Sequence, residues 1–264
     1  NAVRRLNQFT GPFILRRMKS EVLRELPPKT ENVRRVELET EQRKLYLAAV
    51  VDAREKLRAA KPEDKMTVFA VLMRLREICC DPRLVADNWT GSSAKLEACL
   101  ELVTEAVAGG HRILLFSQFT SMLELLAKRL DEAGVSHFTL QGSTPKPVRA
   151  EQVRRFNQGE ADVFLISLRA GGTGLNLTAA DIVIHYDPWW NLAAQNQATD
   201  RAYRIGQRNP VQVYRLIAQD TIEEKIVELQ QAKQSLADTV TGGADGAILS
   251  MNPEQLLQLL GEEA

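Results

Sequence analysis

The sequence predicts an α/β fold in which a doubly wound parallel sheet follows a mainly helical subdomain. From Leu96 onward, short apolar runs alternate with amphipathic stretches, which is the order of a parallel sheet with helical crossovers. The runs ILLF, VFLI and IVI are apolar throughout, as expected for strands that helices cover on both sides. Ligands of such sheets bind at the carboxyl ends of the strands, so the residues after each run are candidates for a site.

The N-terminal part, residues 1–90, is expected to be helical apart from one short strand. The stretch GPFILRRMKSEVLREL mixes apolar positions with a basic cluster and is stopped by two prolines. Apolar residues between Val33 and Leu38 indicate the strand. The compositions of EQRKLYLAAVVDAREKLRAA and MTVFAVLMRLREICC predict two further helices, the second ending at Asp81. The turn-rich DNWTGSSAK marks a domain boundary near residue 90.

The sheet domain is expected to cover residues 91–238. Its expected strands are 113–117, 137–140, 163–167, 182–186 and 211–217. One expected helix carries Met122, Leu125, Leu126 and Leu130 on one face. The other expected helices cover 148–156, 192–203 and 221–237, and the last has Asp220 or Thr221 as its N-cap. Residues 239–264 are expected to form a flexible spacer and a short C-terminal helix, MNPEQLLQLLG, that acts as a docking tail.

The composition excludes several classes of protein. Lys and Arg number 34 and Asp and Glu also number 34, so any nucleic-acid site must be a local patch rather than a global basic field. Three cysteines fit neither a disulfide framework nor zinc spacing, so buried reduced thiols are expected. No apolar run approaches the length of about 18 residues that a membrane span needs, and no signal peptide is evident. We expect an intracellular protein and, since the chain begins with Asn, a fragment of a longer one.

The segment 167–215 contains the residues that point to chemistry. Three of its glycines, Gly171, Gly172 and Gly174, directly follow an apolar strand. A dinucleotide fingerprint is excluded, because Leu177 stands where the third glycine of that pattern is required. A plain tight turn and a backbone cradle for phosphate both remain open, and the position at a strand end favours the cradle.

Arginines and tryptophans follow the next strand. Gln197, Arg201 and Arg204 lie at i, i+4 and i+7, so they would form one polar stripe on the expected helix. Solvated helix charges are the plain alternative, but arginines near a strand's carboxyl edge suit the capture of an anion. Trp189 and Trp190 cannot both face one core, so one is expected to be exposed and to contact a base or sugar.

A complete phosphate-gripping site is absent from the chain. No Gly-Lys pair occurs, so there is no P-loop. The sequence DEA at 131–133 resembles the start of a magnesium-binding acidic box, but it ends an amphipathic helix and is interpreted as a solvated helix end. His111, His137 and His185 lack the spacing of a triad or metal site and are expected to be structural, and no metal ligands are predicted.

Four stretches of the chain resemble the C-terminal RecA-like lobe of SWI/SNF-type ATPases, which are helicase-like DNA translocases of superfamily two. They are LLFSQFTSMLELL, LQGSTP, ISLRAGGTGLNLTAADIVIHYDPWWN and QATDRAYRIGQRNPVQVYRLIAQDTIEEKI, in the family's order and spacing. FTGPFILRRMKSEV, ELPPKTE and VLMRLREICCDP resemble the family's helical insertion and inter-lobe region, and the tail resembles bacterial members. The resemblance covers residues 9–238, and RAYRIGQ after AGGTGLNLT is its most specific part.

The resemblance implies an ATP site between two RecA-like lobes. The N-terminal lobe, missing here, would hold the P-loop, the acidic box and most contacts to ATP and Mg²⁺. This lobe would supply Arg201 and Arg204 as arginine fingers for the γ-phosphate. Gln197, Gly172 and Gly174 are expected beside the nucleotide. The turn from Gly172 to Gly174 is also expected to couple the nucleotide cleft to DNA, with the glycine end of the segment facing DNA and the arginine end facing the nucleotide. The residues expected to contact the DNA backbone, without reading its sequence, are Ser117, Gln118, Phe119, Gly142, Ser143, Thr144, Ser167, Arg169 and Trp190.

Two positions depart from the family's pattern. Leu192 stands where the family usually has proline, and we expect this to change only the entry into a helix. Gln195 stands where the family usually has a carboxylate, and we expect a charge to be lost beside the DNA or inter-lobe surface.

These observations together indicate the second motor lobe of an ATP-dependent double-stranded-DNA translocase. Its enzyme activity would be DNA-dependent ATP hydrolysis by the full-length protein, and this fragment alone is expected to be inactive. Its partners would be duplex DNA, the N-terminal lobe of the same protein and a DNA-bound protein complex, with no membrane. It would act at the bacterial nucleoid in the cytoplasm or, in a eukaryote, in the nucleus.

Two other functions were weighed. The chain could be a non-catalytic DNA- or protein-binding module that keeps the RecA-like fold, but the stripe of Gln197, Arg201 and Arg204 argues against that reading. A small-molecule α/β enzyme with a complete site is opposed by the absence of a nucleophile, a base and a phosphate loop.

Overall fold

The computed structural model describes residues 26–168, 170, 174–237 and 251–261. The strands are β1 (Lys29–Val36), β2 (Ile113–Ser117), β3 (His137–Leu140), β4 (Val163–Ser167), β5 (Ile182–His185) and β6 (Val211–Ala218). The helices are α1 (Thr40–Ala59), α2 (Lys65–Cys80), α3 (Ala94–Ala108), α4 (Thr120–Glu132), α5 (Lys146–Asn157), α6 (Leu192–Thr199), α7 (Ile222–Ala237) and α8 (Pro253–Leu259). The expected helix over 11–25 and the expected spacer over 239–250 lie outside the described residues.

The sheet is parallel throughout, with the strand order β1-β6-β5-β2-β4-β3. The five strands expected between residues 113 and 217 all form, and their observed bounds differ from the expected ones by at most one residue. The order of the strands reverses around β2, which is the arrangement of a doubly wound sheet. The predicted fold class is therefore confirmed.

The edge strand β1 comes from the N-terminal part of the chain. It pairs with β6 along its whole length, from Lys29 opposite Val211 to Val36 opposite Ala218. Most of its side chains are exposed, which is typical of a polar strand that closes a sheet edge. The sequence predicted a strand here but began it at Val33, because Lys29 to Asn32 show no apolar pattern and form the strand only through pairing with β6.

Helices cover both faces of the sheet. Leu115 and Ile184 point towards α3 and α4 on one face. Leu114 and Val183 point to the opposite face, where they pack in one cluster with Phe156 of α5. Adjacent residues of each strand are buried on opposite faces, and this explains why the strands read as continuous apolar runs.

A third core joins α1 and α2 to the first turns of α7 and to α8. Tyr46, Leu72, Ile226 and Leu256 are all buried in it. The C-terminal helix begins with a capping box between Asn252 and Gln255. The expected docking tail therefore docks on the helical subdomain of its own chain.

The cysteines are Cys79, Cys80 and Cys99, and all three are free and buried, as predicted. Burial raises the pKa of the Cys99 thiol to about 12. Among the helices that the structure describes, none is both long and apolar enough to cross a membrane.

Candidate nucleotide and nucleic-acid interface

The carboxyl ends of four neighbouring strands bring most of the predicted site residues to one edge of the sheet. β2 and β4 end at Ser117 and Ser167, and Gly142 follows β3 closely. Trp190 lies in the loop between β5 and α6. Since these strands are adjacent in the order β5-β2-β4-β3, their ends form one continuous surface, which we call the carboxyl rim.

A buried carboxylate, that of Asp187, ties two loops of the rim together. Ser117 Oγ donates to Asp187 Oδ1 at 2.6 Å, and the Gln118 N–H donates to the same oxygen at 3.2 Å. The N–H of Phe119 donates in turn to Ser117 Oγ at 3.2 Å. The sequence did not single out Asp187, although its position just after the apolar strand β5 was a usable signal.

The predicted DNA-contacting residues differ in exposure. Ser117, Phe119 and Ser167 are buried, so their side chains shape the rim from within. Gly142 and Ser143 are exposed at the end of β3. Their contacts with DNA remain predictions.

Two hydroxyl groups hold the shape of loops in the rim. Thr144 Oγ1 accepts the N–H of Gln141 at 3.0 Å, which closes the turn that presents Gly142 and Ser143. Ser167 Oγ accepts the N–H of Ala170 at 3.3 Å, at the start of the glycine turn. Arg169 and Gly172 lie outside the described residues.

The arginine segment is not a continuation of helix α6. The helix ends at Thr199 rather than at residue 203, and Arg201 and Arg204 lie in successive turns after it. Gln207 fixes these turns, because its side-chain amide donates to the carbonyls of Ala180 at 2.7 Å and Ala202 at 3.2 Å. The prediction that Gln197, Arg201 and Arg204 form a stripe on one helix is therefore wrong. Gln197 is exposed and lies in the last turn of the helix, just before the two arginines.

The charges of the two arginines interact, and within the described residues neither guanidinium forms a salt bridge with a carboxylate. Arg201 is buried and its Nε has no hydrogen-bond partner. Burial, and then the charge of Arg204, lower the pKa of Arg201, while the charge of the neighbouring Asp200 acts in the opposite direction. In the described part of the chain no salt bridge joins either guanidinium to Asp or Glu. Two cations with an unused donor form a favourable place for an anion.

The segment that follows the glycine turn is in direct contact with the arginine segment. The N–H of Leu177 donates to the carbonyl of Arg201 at 3.0 Å. Arg204 Nη1 donates to the carbonyl of Leu175 at 3.3 Å. Gly174, the glycine of this turn that the structure describes, has a φ of +30° and is exposed, which suits glycine and leaves its backbone accessible.

The tryptophan pair is held from several sides. Both Trp189 and Trp190 are partly buried, so the expected division into one core and one exposed tryptophan is not observed. The carbonyl of Trp189 accepts a hydrogen bond from the side chain of Gln230. The ring of Trp190 lies against the guanidinium of Arg76, with the Arg76 Cζ 4.0 Å from the ring centroid.

Histidine does not form a reactive centre in the described residues. His185 is buried, stacks on Phe116 and places Nε2 at 2.9 Å from Thr199 Oγ1. Its burial lowers the pKa to about 3, so the ring is neutral at physiological pH. His111 pairs with Asp181 at 2.9 Å. Across the parts of the chain that the structure covers, no group of three or more His, Cys, Asp and Glu side chains could hold a metal ion.

Family models and solved structures match the chain along most of its length. A helicase conserved C-terminal domain matches residues 94–206, and an SNF2-related domain matches residues 1–84. A Mycoplasma pneumoniae protein described as an uncharacterized ATP-dependent helicase is 40% identical over 255 residues, which is 96% of this chain and 25% of that protein. The chain belongs to the SWI/SNF-type family of helicase-like ATPases. It spans about a quarter of the length of the curated relatives it matches.

Solved structures of SWI/SNF-type ATPases share the fold. The Sulfolobus solfataricus SWI2/SNF2 ATPase core in complex with double-stranded DNA has a TM-score of 0.75 and 30% identity, covering 99% of this chain and 56% of that chain. The C-terminal domain of the Sulfolobus ATPase has a TM-score of 0.73 and 27% identity, covering 89% of this chain and 100% of that domain. The RecA-like α/β fold implied by the sequence resemblance is thereby confirmed.

The two departures from the SWI/SNF-type pattern have local structural explanations. Leu192 is the first residue of α6, after the N-cap Asn191, a position at which proline and many other residues fit. Gln195 is only 2% exposed, and its Oε1 accepts the N–H of Trp189 at 3.3 Å. Gln195 therefore supports the tryptophan loop from inside, and the expectation that a charge is lost beside the DNA or inter-lobe surface stays a prediction.

Proposed function

We propose that this chain is the second motor lobe of an ATP-dependent double-stranded-DNA translocase of the remodelling type. ATP would lie between this lobe and an N-terminal RecA-like lobe of the same protein, which would make most of the contacts to ATP and Mg²⁺. Closing and opening of the two lobes would move the protein along one strand of the duplex. Strand separation is not part of the proposal.

The observation that carries the proposal is the pair of Arg201 and Arg204, whose guanidiniums make no salt bridge with any carboxylate in the described part of the chain. An arginine that is buried beside a second cation, with an unpartnered Nε, is suited to a ligand that brings negative charge. In phosphoryl transfer, charge develops on the γ-phosphate oxygens, and arginines placed there stabilise the transition state more than the ground state. The residues present therefore fit the γ-phosphate side of a nucleotide.

The carboxyl rim supports the DNA part of the proposal. It exposes Gly142, Ser143 and Gly174, whose backbone groups and serine hydroxyl can contact phosphates without reading bases. The solved Sulfolobus relative contains double-stranded DNA. Contact between the segment after the glycine turn and the arginine segment gives a short physical route from the DNA side to the nucleotide side.

The test compares ATP hydrolysis by the full-length protein with duplex DNA, single-stranded DNA, RNA and no polymer. We expect the greatest stimulation with duplex DNA. Stimulation by RNA alone would overturn the DNA assignment, and absence of ATP hydrolysis under all four conditions would indicate a non-catalytic binding module instead.

A second measurement tests whether the site is shared between lobes. The isolated 264-residue chain should not turn over ATP, because it has no P-loop. Mg²⁺-dependent hydrolysis by this chain alone, at a rate comparable to the full-length protein, would contradict the two-lobe site.

A further inference from the structure

A buried arginine of the helical subdomain reaches the carboxyl rim. Arg76, on α2, is completely buried. Its Nη2 donates to Asp187 Oδ2 at 3.3 Å and to the carbonyl of Pro188 at 2.5 Å. Its guanidinium stacks on Trp190 and lies 5.6 Å from the ring centroid of Phe119. One side chain thus contacts both loops that Asp187 joins.

Asp187 is shared between Arg76 and the loop after β2. Its Oδ2 accepts from Arg76, and its Oδ1 accepts from Ser117 Oγ and the Gln118 N–H. The chain separation between Arg76 and Asp187 is 111 residues, so the contact joins distant parts of the fold. A change in the position of α2 would therefore move or release both loops of the rim.

The arrangement is poorly suited to a purely stabilising role. Arg76 Nε and Nη1 are buried without hydrogen-bond partners, and burial is the largest influence on its pKa, which it lowers. Buried ion pairs often contribute less to stability than apolar side chains of similar size, because both charges lose their hydration. A guanidinium at this position is better explained by a role in which its N–H donors and its planar face hold the two loops in one geometry.

We propose that Arg76 is a positioning residue that sets the conformation of the DNA-contacting rim from the helical subdomain. Its guanidinium fixes Asp187 and Pro188 by hydrogen bonds and Trp190 by stacking. Asp187 then fixes Ser117 and the backbone of Gln118. The inference deepens the proposed function and rests on it, because it assigns the rim the role of binding duplex DNA.

A second buried ion pair provides a matched control. Lys95 Nζ lies 2.6 Å from both carboxylate oxygens of Glu223, and both side chains are fully buried. Glu223 also accepts the N–H of Ala218 at 2.8 Å, at the end of β6. This pair resembles Arg76–Asp187 in burial and charge. It makes no hydrogen bond to the loops after β2 or β5, and its contact with the second loop is limited to Lys95 Nζ lying 5.2 Å from the ring centroid of Tyr186 and to the charge of Lys95 acting on Asp187.

The experiment measures ATP hydrolysis by the full-length protein as a function of duplex DNA concentration, for wild type, Arg76→Met, Arg76→Lys and Lys95→Met. Arg76→Met should raise the DNA concentration for half-maximal stimulation about tenfold, a size typical of coupling residues, with a much smaller change in the KM for ATP. Arg76→Lys should lie between wild type and Arg76→Met, because lysine keeps the charge but loses the fork and the flat face. Lys95→Met should lower thermal stability to a similar degree without changing the DNA concentration for half-maximal stimulation.

The outcomes separate this inference from the proposed function. If wild type responds to duplex DNA and the Arg76 variants respond at the same concentration, the positioning role is overturned while the proposed function stands. An equal shift in Lys95→Met would also overturn it, because general loosening of the subdomain would then explain the effect. If Arg76→Met does not fold, Arg76→Lys is compared with Lys95→Arg. The positioning role then requires that the DNA concentration for half-maximal stimulation rises in Arg76→Lys and not in Lys95→Arg. Lack of any DNA response in wild type would overturn the proposed function itself.

Discussion

The backbone N–H of Leu177 donates to the carbonyl of Arg201 at 3.0 Å, which fastens the segment after the glycine turn to the arginine segment. These segments were expected to serve different ligands, DNA and nucleotide. Their contact means that a displacement of one changes the position of the other without the involvement of a distant element. The part of the site proposed to face DNA and the part proposed to face the nucleotide are therefore directly connected by a hydrogen bond.

Removing an arginine finger should affect catalysis more than binding. We expect Arg204→Ala in the full-length protein to lower kcat on the order of 10³-fold, because the guanidinium would act on charge that develops in the transition state. The measurement is steady-state ATP hydrolysis with saturating duplex DNA, with nucleotide affinity determined separately. Arg208→Ala is the control, since Arg208 is an exposed arginine just beyond the same turns. Turnover retained in Arg204→Ala would remove its assigned role.

Breaking the buried Lys95–Glu223 pair should be costly. Lys95→Met leaves the Glu223 carboxylate buried without its partner, and the loss of unfolding free energy should be about 3–5 kcal/mol. Adding Glu223→Gln should recover part of this loss, because the amide oxygen can still accept the N–H of Ala218. Denaturant unfolding of the single and double variants measures the difference. Equal free energies of unfolding for Lys95→Met and the double variant would show that the unpaired Glu223 carboxylate does not cause the loss of stability.

Burial of His185 should make the fold less stable in mild acid. Its pKa in the folded state is about 3, below the value of about 6.5 for an exposed histidine, so protons bind preferentially to the unfolded chain. The contribution of His185 to the free energy of unfolding is constant above pH 6.5. As the pH falls from 6.5 towards 3, this contribution decreases and the fold becomes less stable. At pH 5 the loss should be about 2 kcal/mol relative to pH 7.5.

The pH effect can be assigned by comparing two substitutions in urea unfolding experiments. His185→Gln should remove this part of the pH dependence, whereas His111→Gln, at a partly exposed ring, should leave it in place. The same pH dependence in His185→Gln and wild type would show that other groups cause it.

The C-terminal helix should depend on one buried leucine. Leu256 is fully buried against the helical subdomain, and Leu256→Ala should cost about 2–5 kcal/mol in the docking of α8. Hydrogen exchange of the α8 amides should increase accordingly. Gln258→Ala, on the exposed side of the same helix, is the control. Unchanged exchange in Leu256→Ala would mean that other contacts, such as that between Arg54 and the carbonyl of Leu260, hold the helix.

The local pattern of residue types was sufficient to predict the strands of the sheet, but it was insufficient to predict the structure of the arginine segment. Strands β2 and β4 are apolar at nearly every position because helices cover both faces, and no other local structure explains such short runs as well. The helix expected up to residue 203 fails because residues 200–203 have good helical spacing but are held in turns by Gln207. That constraint comes from a side chain beyond the segment and from the carbonyl of Ala180.

The sequence by itself determined the fold class, the strands of the sheet domain, the burial of the cysteines and, by its motifs, the family. These features depend on residues close in the chain, where periodicity and spacing carry the physical constraint. Only the tertiary structure decided that β1 completes the sheet, that Gln195 faces inward, and that Arg76 meets Asp187 across 111 residues. Such contacts depend on which surfaces meet once the core has formed, and a local pattern of residue types does not contain that information.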